Sequence, residues 1–136
     1  MTGAPPGTKT LAVVAAVLEE NGAFLVTRRP EGVHLAGLWE FPGGKVDAGE
    51  THAAALRREI REELGVDAQV HDLLFEVTDD YPDRSVALFF YRCTLTGEPV
   101  ARLGQEMRWV LREELRSLGF PPADEQLIHL LVTGTR

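Results

Sequence analysis

The sequence contains a single cysteine, Cys93, in 136 residues. An intramolecular disulfide framework is therefore excluded, and this usage fits a reducing compartment, so a cytoplasmic location is expected. Cys93 sits in the apolar run SVALFFYRCTL and reads as strand or core filler rather than as a nucleophile. Basic residues are in deficit: 14 Lys and Arg against 21 Asp and Glu leave a formal net charge of −7. Such a surface argues against duplex nucleic acid as a partner, because that interaction needs a basic face. No apolar run is long enough for a membrane span. The longest early one, Leu11 to Leu18, falls far short of the roughly 20 residues required. It leads into the hairpin signal Asn21-Gly22 and then AFLVTRR, so a strand pair explains it better than a signal peptide. The histidines His34, His52, His71 and His129 show no metal-ligand spacing. Repeats and low-complexity segments are absent. The length suits one domain with a real core.

What is present is concentrated in GGKVDAGETHAAALRREIREELGV, Gly43 to Val66. A glycine-rich turn precedes a short helix crowded with carboxylates. Glu59, Glu62 and Glu63 stand at i, i+3 and i+4 and share one helix face. Ala53, Leu56, Ile60 and Leu64 form the neighbouring apolar stripe at about 100° per residue. Arg57, Arg58 and Arg61 occupy most of the remaining arc. The stripe packs inward, and the glutamates lie along its edge beside a cleft. Like charges at this spacing cost a helix a few tenths of a kcal/mol. A divalent cation turns that cost into affinity, and hard oxygen ligands without His or Cys suit Mg²⁺, with Mn²⁺ as a substitute. Mg²⁺ commonly binds through a few carboxylates together with substrate phosphates, so the expected substrate is a polyphosphate. The alternative reading of the same string is a solvated acidic helix face.

The spacing reads G-x5-E-x7-R-E-U-x-E-E-x-G-U, where U is aliphatic. Gly44, Glu50, Arg58, Glu59, Ile60, Glu62, Glu63, Gly65 and Val66 fill every fixed place. This resembles the Nudix box, the signature of the Nudix hydrolases. The resemblance implies Mg²⁺-dependent hydrolysis of a nucleoside diphosphate linked to a further group. It further implies that the Gly43 carbonyl and Glu59, Glu62 and Glu63 hold the metal. One glutamate, Glu62 or a loop acid, would act as base. Gly44, Glu50 and Arg58 are supporting residues, Glu50 through Arg58 or a metal-bound water. Binding-only relatives usually have broken boxes, whereas every box glutamate is present here.

In chain order, residues 1–8 are Pro/Gly-rich and expected to be disordered, leaving one domain over 9–136. Lys9–Leu18 and Ala23–Arg29 are expected to pair as a hairpin. Pro30–Gly37 reads as a loop, LWEF as a short strand, and Thr51–Leu64 as the box helix stopped by Gly65. Strands are expected at Ala68–Thr78 and Ser85–Leu95, joined by the turn DDYPD, and at Gln105–Val110. LREELRSLG and Asp124–Val132 read as helices. Interleaved strands and helices point to an α/β protein with a mixed sheet covered on both sides. That agrees with the α/β/α sandwich the resemblance implies.

Outside the box, TRRPEGVHLAGLWEFPGGK, YPDRS, GEPV and FPPADE are similar to the MutT branch of the family, which removes damaged nucleotides. The similarity implies a nucleoside triphosphate substrate cleaved to monophosphate and pyrophosphate. Arg29, with Arg28 beside it, corresponds to an arginine contacting the nucleotide. Tyr81 and Arg84 correspond to an aromatic and an arginine that enclose it. MutT-like proteins also take an extra loop carboxylate. A gapless match puts Leu103 there, and Glu106 is the nearest acid. Asp124 departs from the pattern FPPANE, in which asparagine recognises oxidised guanine. An ionised aspartate only accepts hydrogen bonds, whereas an amide also donates. Asp124 could take the donor groups of the base, its carbonyl if protonated, or the amino group of cytosine. Base preference therefore stays open between 8-oxo-dGTP and a CTP/dCTP-type substrate, with other nucleoside diphosphate derivatives as a further alternative.

Overall fold

A computed structural model describes residues 9–29, 32 and 37–134. The expectations for residues 1–8, for His34 and for most of the 30–37 loop lie outside the described residues. Among these residues seven strands and two α-helices follow in order: β1 Lys9–Glu20, β2 Ala23–Arg28, β3 Trp39–Glu40, β4 Gly43–Lys45, α1 His52–Leu64, β5 Ala68–Tyr81, β6 Arg84–Leu95, β7 Met107–Leu111 and α2 Glu125–Thr133. The sheet is mixed, ordered β3-β2-β1-β6-β5, with β4 paired to β1 and β7 to β2. Its parallel pair is β1 with β6, in register from Lys9↔Arg84 to Leu18↔Cys93. β1 turns into β2 through Asn21 at φ 53° and Gly22 at φ 78°, the left-handed pair that a tight hairpin demands.

Alternation along β1 builds two cores. Val14, Ala16 and Leu18 face α1 and pack with Leu56, Ile60 and Leu64. Ala15 and Val17 face the other side, with Phe24, Val26, Phe90, Leu127 and Ile128. A strand buried on both faces reads as a continuous apolar run, as the first strands do. Cys93 lies in the α1-side core, and burial pushes its thiol up to about 12, which leaves almost no thiolate for nucleophilic work. Among the described residues no helix is long and apolar enough to cross a membrane.

Several boundaries differ from expectation. The β5–β6 ladder runs on to Tyr81↔Arg84, so the connection is only Pro82-Asp83. Side-chain bonds hold the polar residues in the ladder: Ser85 Oγ donates to Asp80 Oδ1 at 2.5 Å and Tyr81 Oη to Asp79 Oδ2 at 3.1 Å. LREELRSLG yields a 3-10 helix at Arg112–Ser117, a run too short to nucleate an α-helix easily. β7 begins at Met107 rather than Gln105, and α2 starts one residue after Asp124, behind a 3-10 turn at Pro122–Asp124. On α1 the buried side chains are Ala55, Leu56, Ile60 and Leu64. Ala53, in the first turn, is only half-buried.

Candidate functional site

The glycines expected in a turn form strand β4 instead. Gly43 pairs with Ala15 and Gly44 with Val14. A Cβ at Gly43 would lie 2.0 Å from the Val14 carbonyl oxygen, and one at Gly44 2.3 Å from the Glu59 carboxyl carbon. Both positions need glycine for close approach, the first to a backbone and the second to a carboxylate. The chain then runs to Thr51, whose Oγ1 accepts from the Ala54 N–H at 3.1 Å and starts α1. Gly65 ends the helix at φ 68°, the left-handed stop. Strand β4 and helix α1 thus set the glycine backbone against the glutamate edge.

Along that edge Arg58 is the hub. Its Nε and Nη2 donate to the two oxygens of Glu50 at 2.8 and 2.9 Å. Nη1 donates to Glu59 Oε2 at 2.8 Å, and Nη2 also to the Lys45 carbonyl at 3.0 Å. Glu62 stands 3.5 Å from Nη1. The Arg58 fork holds the Glu50 carboxyl down at about 2, helped by the Asp47 N–H. Glu50 and Glu59 in turn hold the Arg58 proton more firmly than usual. Glu63 is opposite in character. Burial pushes its carboxyl well above the usual range, as do its hydrogen bond and repulsion with Glu59 and the charge of Glu40, against a backbone hydrogen bond at Gly43. Glu62 is turned outward, 58 % exposed.

The donor set along this edge consists entirely of hard oxygens. Glu59 and Glu63 meet over Gly43 and Gly44 at a distance where two like charges need a proton or a cation between them. That chemistry fits a hard divalent ion. Among the described residues no three Asp, Glu, His or Cys side chains already converge closely enough to hold one, since Arg58 draws Glu59 and Glu62 toward itself.

The other sequence-derived candidates form two further groups. Arg29 Nη1 donates to Glu40 Oε1 at 2.8 Å, and the charge of Glu40 acts on both Glu63 and Asp124. Asp124 is only 6 % exposed. It occupies the N-cap position of α2 but makes no side-chain cap hydrogen bond. Burial first, then the charges of Glu40 and Asp79, pushes its carboxyl up to about 7. Tyr81 lies at the hairpin tip with the Arg84 guanidinium 5.8 Å over its ring, and its hydroxyl reaches the same Asp79. Arg28 and Glu106 form a separate, half-exposed pair at 3.3 Å. Arg28 Nε also donates to the Gly37 carbonyl at 3.0 Å. Leu103 is exposed and offers no carboxylate.

Glu40 and Asp79 are the site residues that sequence reasoning missed. A carboxylate inside the otherwise apolar Leu38–Phe41 run was the available signal for Glu40. Asp79 carried none, because its closeness to Asp124 arises only when the end of β5 packs against the 3-10 turn.

A sequence profile of the NUDIX domain matches residues 8–131. An 8-oxo-dGTP diphosphatase of Haemophilus influenzae is 43% identical over 129 residues, 93% of this chain and 95% of that protein. A CTP pyrophosphohydrolase of Escherichia coli is 36% identical, covering 88% of this chain and 90% of that one. The solution structure of the E. coli ORF135 protein superposes with a TM-score of 0.85 at 34% identity, covering 96% of this chain and 94% of the other. With the profile spanning nearly the whole chain and every fixed place of the box filled, the protein belongs to the Nudix family of hydrolases, which act on phosphoric anhydrides.

Proposed function

We propose that the protein is a cytoplasmic Mg²⁺-dependent pyrophosphohydrolase of nucleoside triphosphates, with 8-oxo-dGTP as its first substrate. The observation that carries this reading is the meeting of Glu59 and Glu63 over Gly43 and Gly44, with Glu40, the partner of Arg29, acting by its charge on both Glu63 and Asp124. Phosphate chemistry and base recognition then share one cleft. Its likeness to 8-oxo-dGTP diphosphatases supports the choice of base, and the reducing compartment rests on the lone buried thiol.

Glu59, Glu62, Glu63 and the Gly43 carbonyl would hold Mg²⁺, or Mn²⁺ in its place. When bound, the ion neutralises phosphate charge and lowers the pKa of a water. Around it, Arg58 fixes the rotamer of Glu59 through a guanidinium that Glu50 holds from behind, the support such ligands need. Glu63, or Glu62 at the open side, takes the proton from the attacking water. Glu106 sits beside Arg28 and serves as a loop acid if that pair opens on substrate binding. Attack at phosphorus breaks one P–O anhydride bond and releases nucleoside monophosphate and pyrophosphate. Arg29 and Arg28 contact the nucleotide, Tyr81 and Arg84 enclose it, and Asp124 meets the base.

A second reading, a CTP-type pyrophosphohydrolase, is favoured by the identity of Asp124. A largely buried carboxylate that makes no side-chain cap hydrogen bond suits an exocyclic amino donor. Comparing kcat/KM with Mg²⁺ for 8-oxo-dGTP, dGTP, dCTP and 5-methyl-dCTP, with products identified, decides between them. Strong preference for 8-oxo-dGTP over dGTP supports the first reading, and a cytosine preference transfers the assignment to the second. No turnover of any of the four would remove both.

A further inference from the structure

On the outer side of α1, directly beside the glutamate edge, an open groove of about 520 Å³ is lined by Arg57, Arg58, Arg61, Glu62 and Arg102. Four of the protein's 14 basic residues meet here, in a chain whose net charge is −7. Arg58 is held by Glu50 and Glu59, and Arg61 pairs with Asp67. Arg57 and Arg102 have no carboxylate partner among the described residues.

Arg102 is brought there deliberately by the backbone. The Val100 N–H donates to the Leu64 carbonyl at 2.8 Å and the Arg102 N–H to the Glu63 carbonyl at 3.0 Å. Gln105 Nε2 adds a bond to the same Glu63 carbonyl at 3.1 Å. The stem of Arg102 then lies on Gly65, where a Cβ would sit 2.8 Å from its Cδ. Attraction to the helix C-terminus accounts for Arg61 and Arg102. It does not account for Arg57, which lies mid-helix with Arg61 at i+4. That like-charge pair destabilises the helix slightly by itself. A multivalent anion in the groove reverses the sign of the interaction.

We propose that this groove is an anion subsite for the phosphates farthest from the nucleoside, namely the pyrophosphate end of a nucleoside triphosphate and pyrophosphate as it departs. The proposal rests on the reading of the protein as a triphosphate pyrophosphohydrolase. Glu62 belongs both to the groove and to the box edge, so the groove opens directly off the carboxylates at which cleavage would occur. Guanidinium forks match phosphate oxygens in shape and charge. The two edges of α1 then divide the work. The acidic edge repels phosphate unless a cation is present, whereas the basic groove attracts it without one.

That difference provides the test. Pyrophosphate is titrated calorimetrically into the full chain in metal-free buffer, using wild type, Arg57→Gln, Arg102→Gln and the double variant. Glutamine keeps the Cβ and Cγ of the stem beside Gly65 while removing the charge, and thermal midpoints verify that each variant folds. The expected result is measurable binding by wild type, weakened about tenfold in the double variant, the scale of a charge-assisted hydrogen bond. With Mg²⁺, KM for a nucleoside triphosphate rises by a similar factor, and KM for the matching diphosphate, which lacks the outermost phosphate, rises clearly less. No pyrophosphate binding by wild type, equal affinity across the series, or equal KM effects on both substrates overturns the proposal. If wild type turns over no nucleotide at all, the functional reading fails, and the metal-free titration still decides the subsite.

Discussion

Asp124 gives the molecule a pH signature that a single substitution can remove. Its carboxyl titrates at about 7 in the folded protein against 3.8 ordinarily, so the folded state binds the extra proton across that interval. Its contribution to stability is fully present below about pH 4, declines as pH rises through 7 and is gone above it, on the order of a few kcal/mol in total. Denaturant unfolding from pH 4 to 8 should show this decline, and Asp124→Asn should flatten it while raising stability at pH 8. The same variant regains a donor, so its selectivity for 8-oxo-dGTP over dCTP should increase. Glu63 offers a second residue-scale prediction. Because burial and Glu59 already disfavour its charge, Glu63→Gln should fold with an unchanged or higher thermal midpoint. Its kcat should nevertheless fall by roughly 10²–10⁴, the range for loss of a general base. Near wild-type turnover with Mg²⁺ would remove Glu63 from the mechanism.

At the scale of elements, β4 and α1 act as one unit, and the two glycines of β4 should fail differently. Gly43→Ala drives a methyl into the Val14 backbone, so the β1–β4 pairing must give way, and a loss of more than about 2 kcal/mol is expected by denaturant unfolding. Gly44→Ala meets the Glu59 carboxylate first, a side-chain end that can swing aside. Stability should change little, and activity should drop because Glu59 leaves the edge. Equal effects on stability at both positions would show that the close approaches are not what keeps these glycines. Here the sequence was legible in part. The box pattern placed Gly44, the helix and its stop at Gly65, whereas Thr51, read as the first helical residue, is the cap in front of it. It could not show that the glycines form a strand, because pairing with β1 is a contact between segments far apart in the chain.

For the whole molecule, a net charge of −7 sets a polyanionic substrate against a like-charged protein. The carboxylate edge should therefore require a divalent cation both to act and to be stable. EDTA is expected to abolish turnover, and Mg²⁺ or Mn²⁺ to restore it. The same ions should raise the thermal midpoint by binding only the folded arrangement, and Glu59→Gln should blunt that rise. A thermal midpoint indifferent to Mg²⁺ would speak against the carboxylate edge as the metal site.

Sequence alone determined the local features of this protein: the nine box positions, the hairpin at Asn21-Gly22, the glutamate edge and apolar stripe of α1, and the family they imply. These are legible because helix period, strand alternation and turn chemistry act between near neighbours in the chain. Tertiary structure decided the rest. It paired β1 in parallel with β6, extended the β5–β6 ladder into the polar turn signal, and buried Asp124 within reach of the charges of Glu40 and Asp79. It also brought Arg102 onto Gly65 beside Arg57. Each of these outcomes depends on desolvation and on charges meeting across segments remote in sequence, and no spacing within one segment encodes such a meeting.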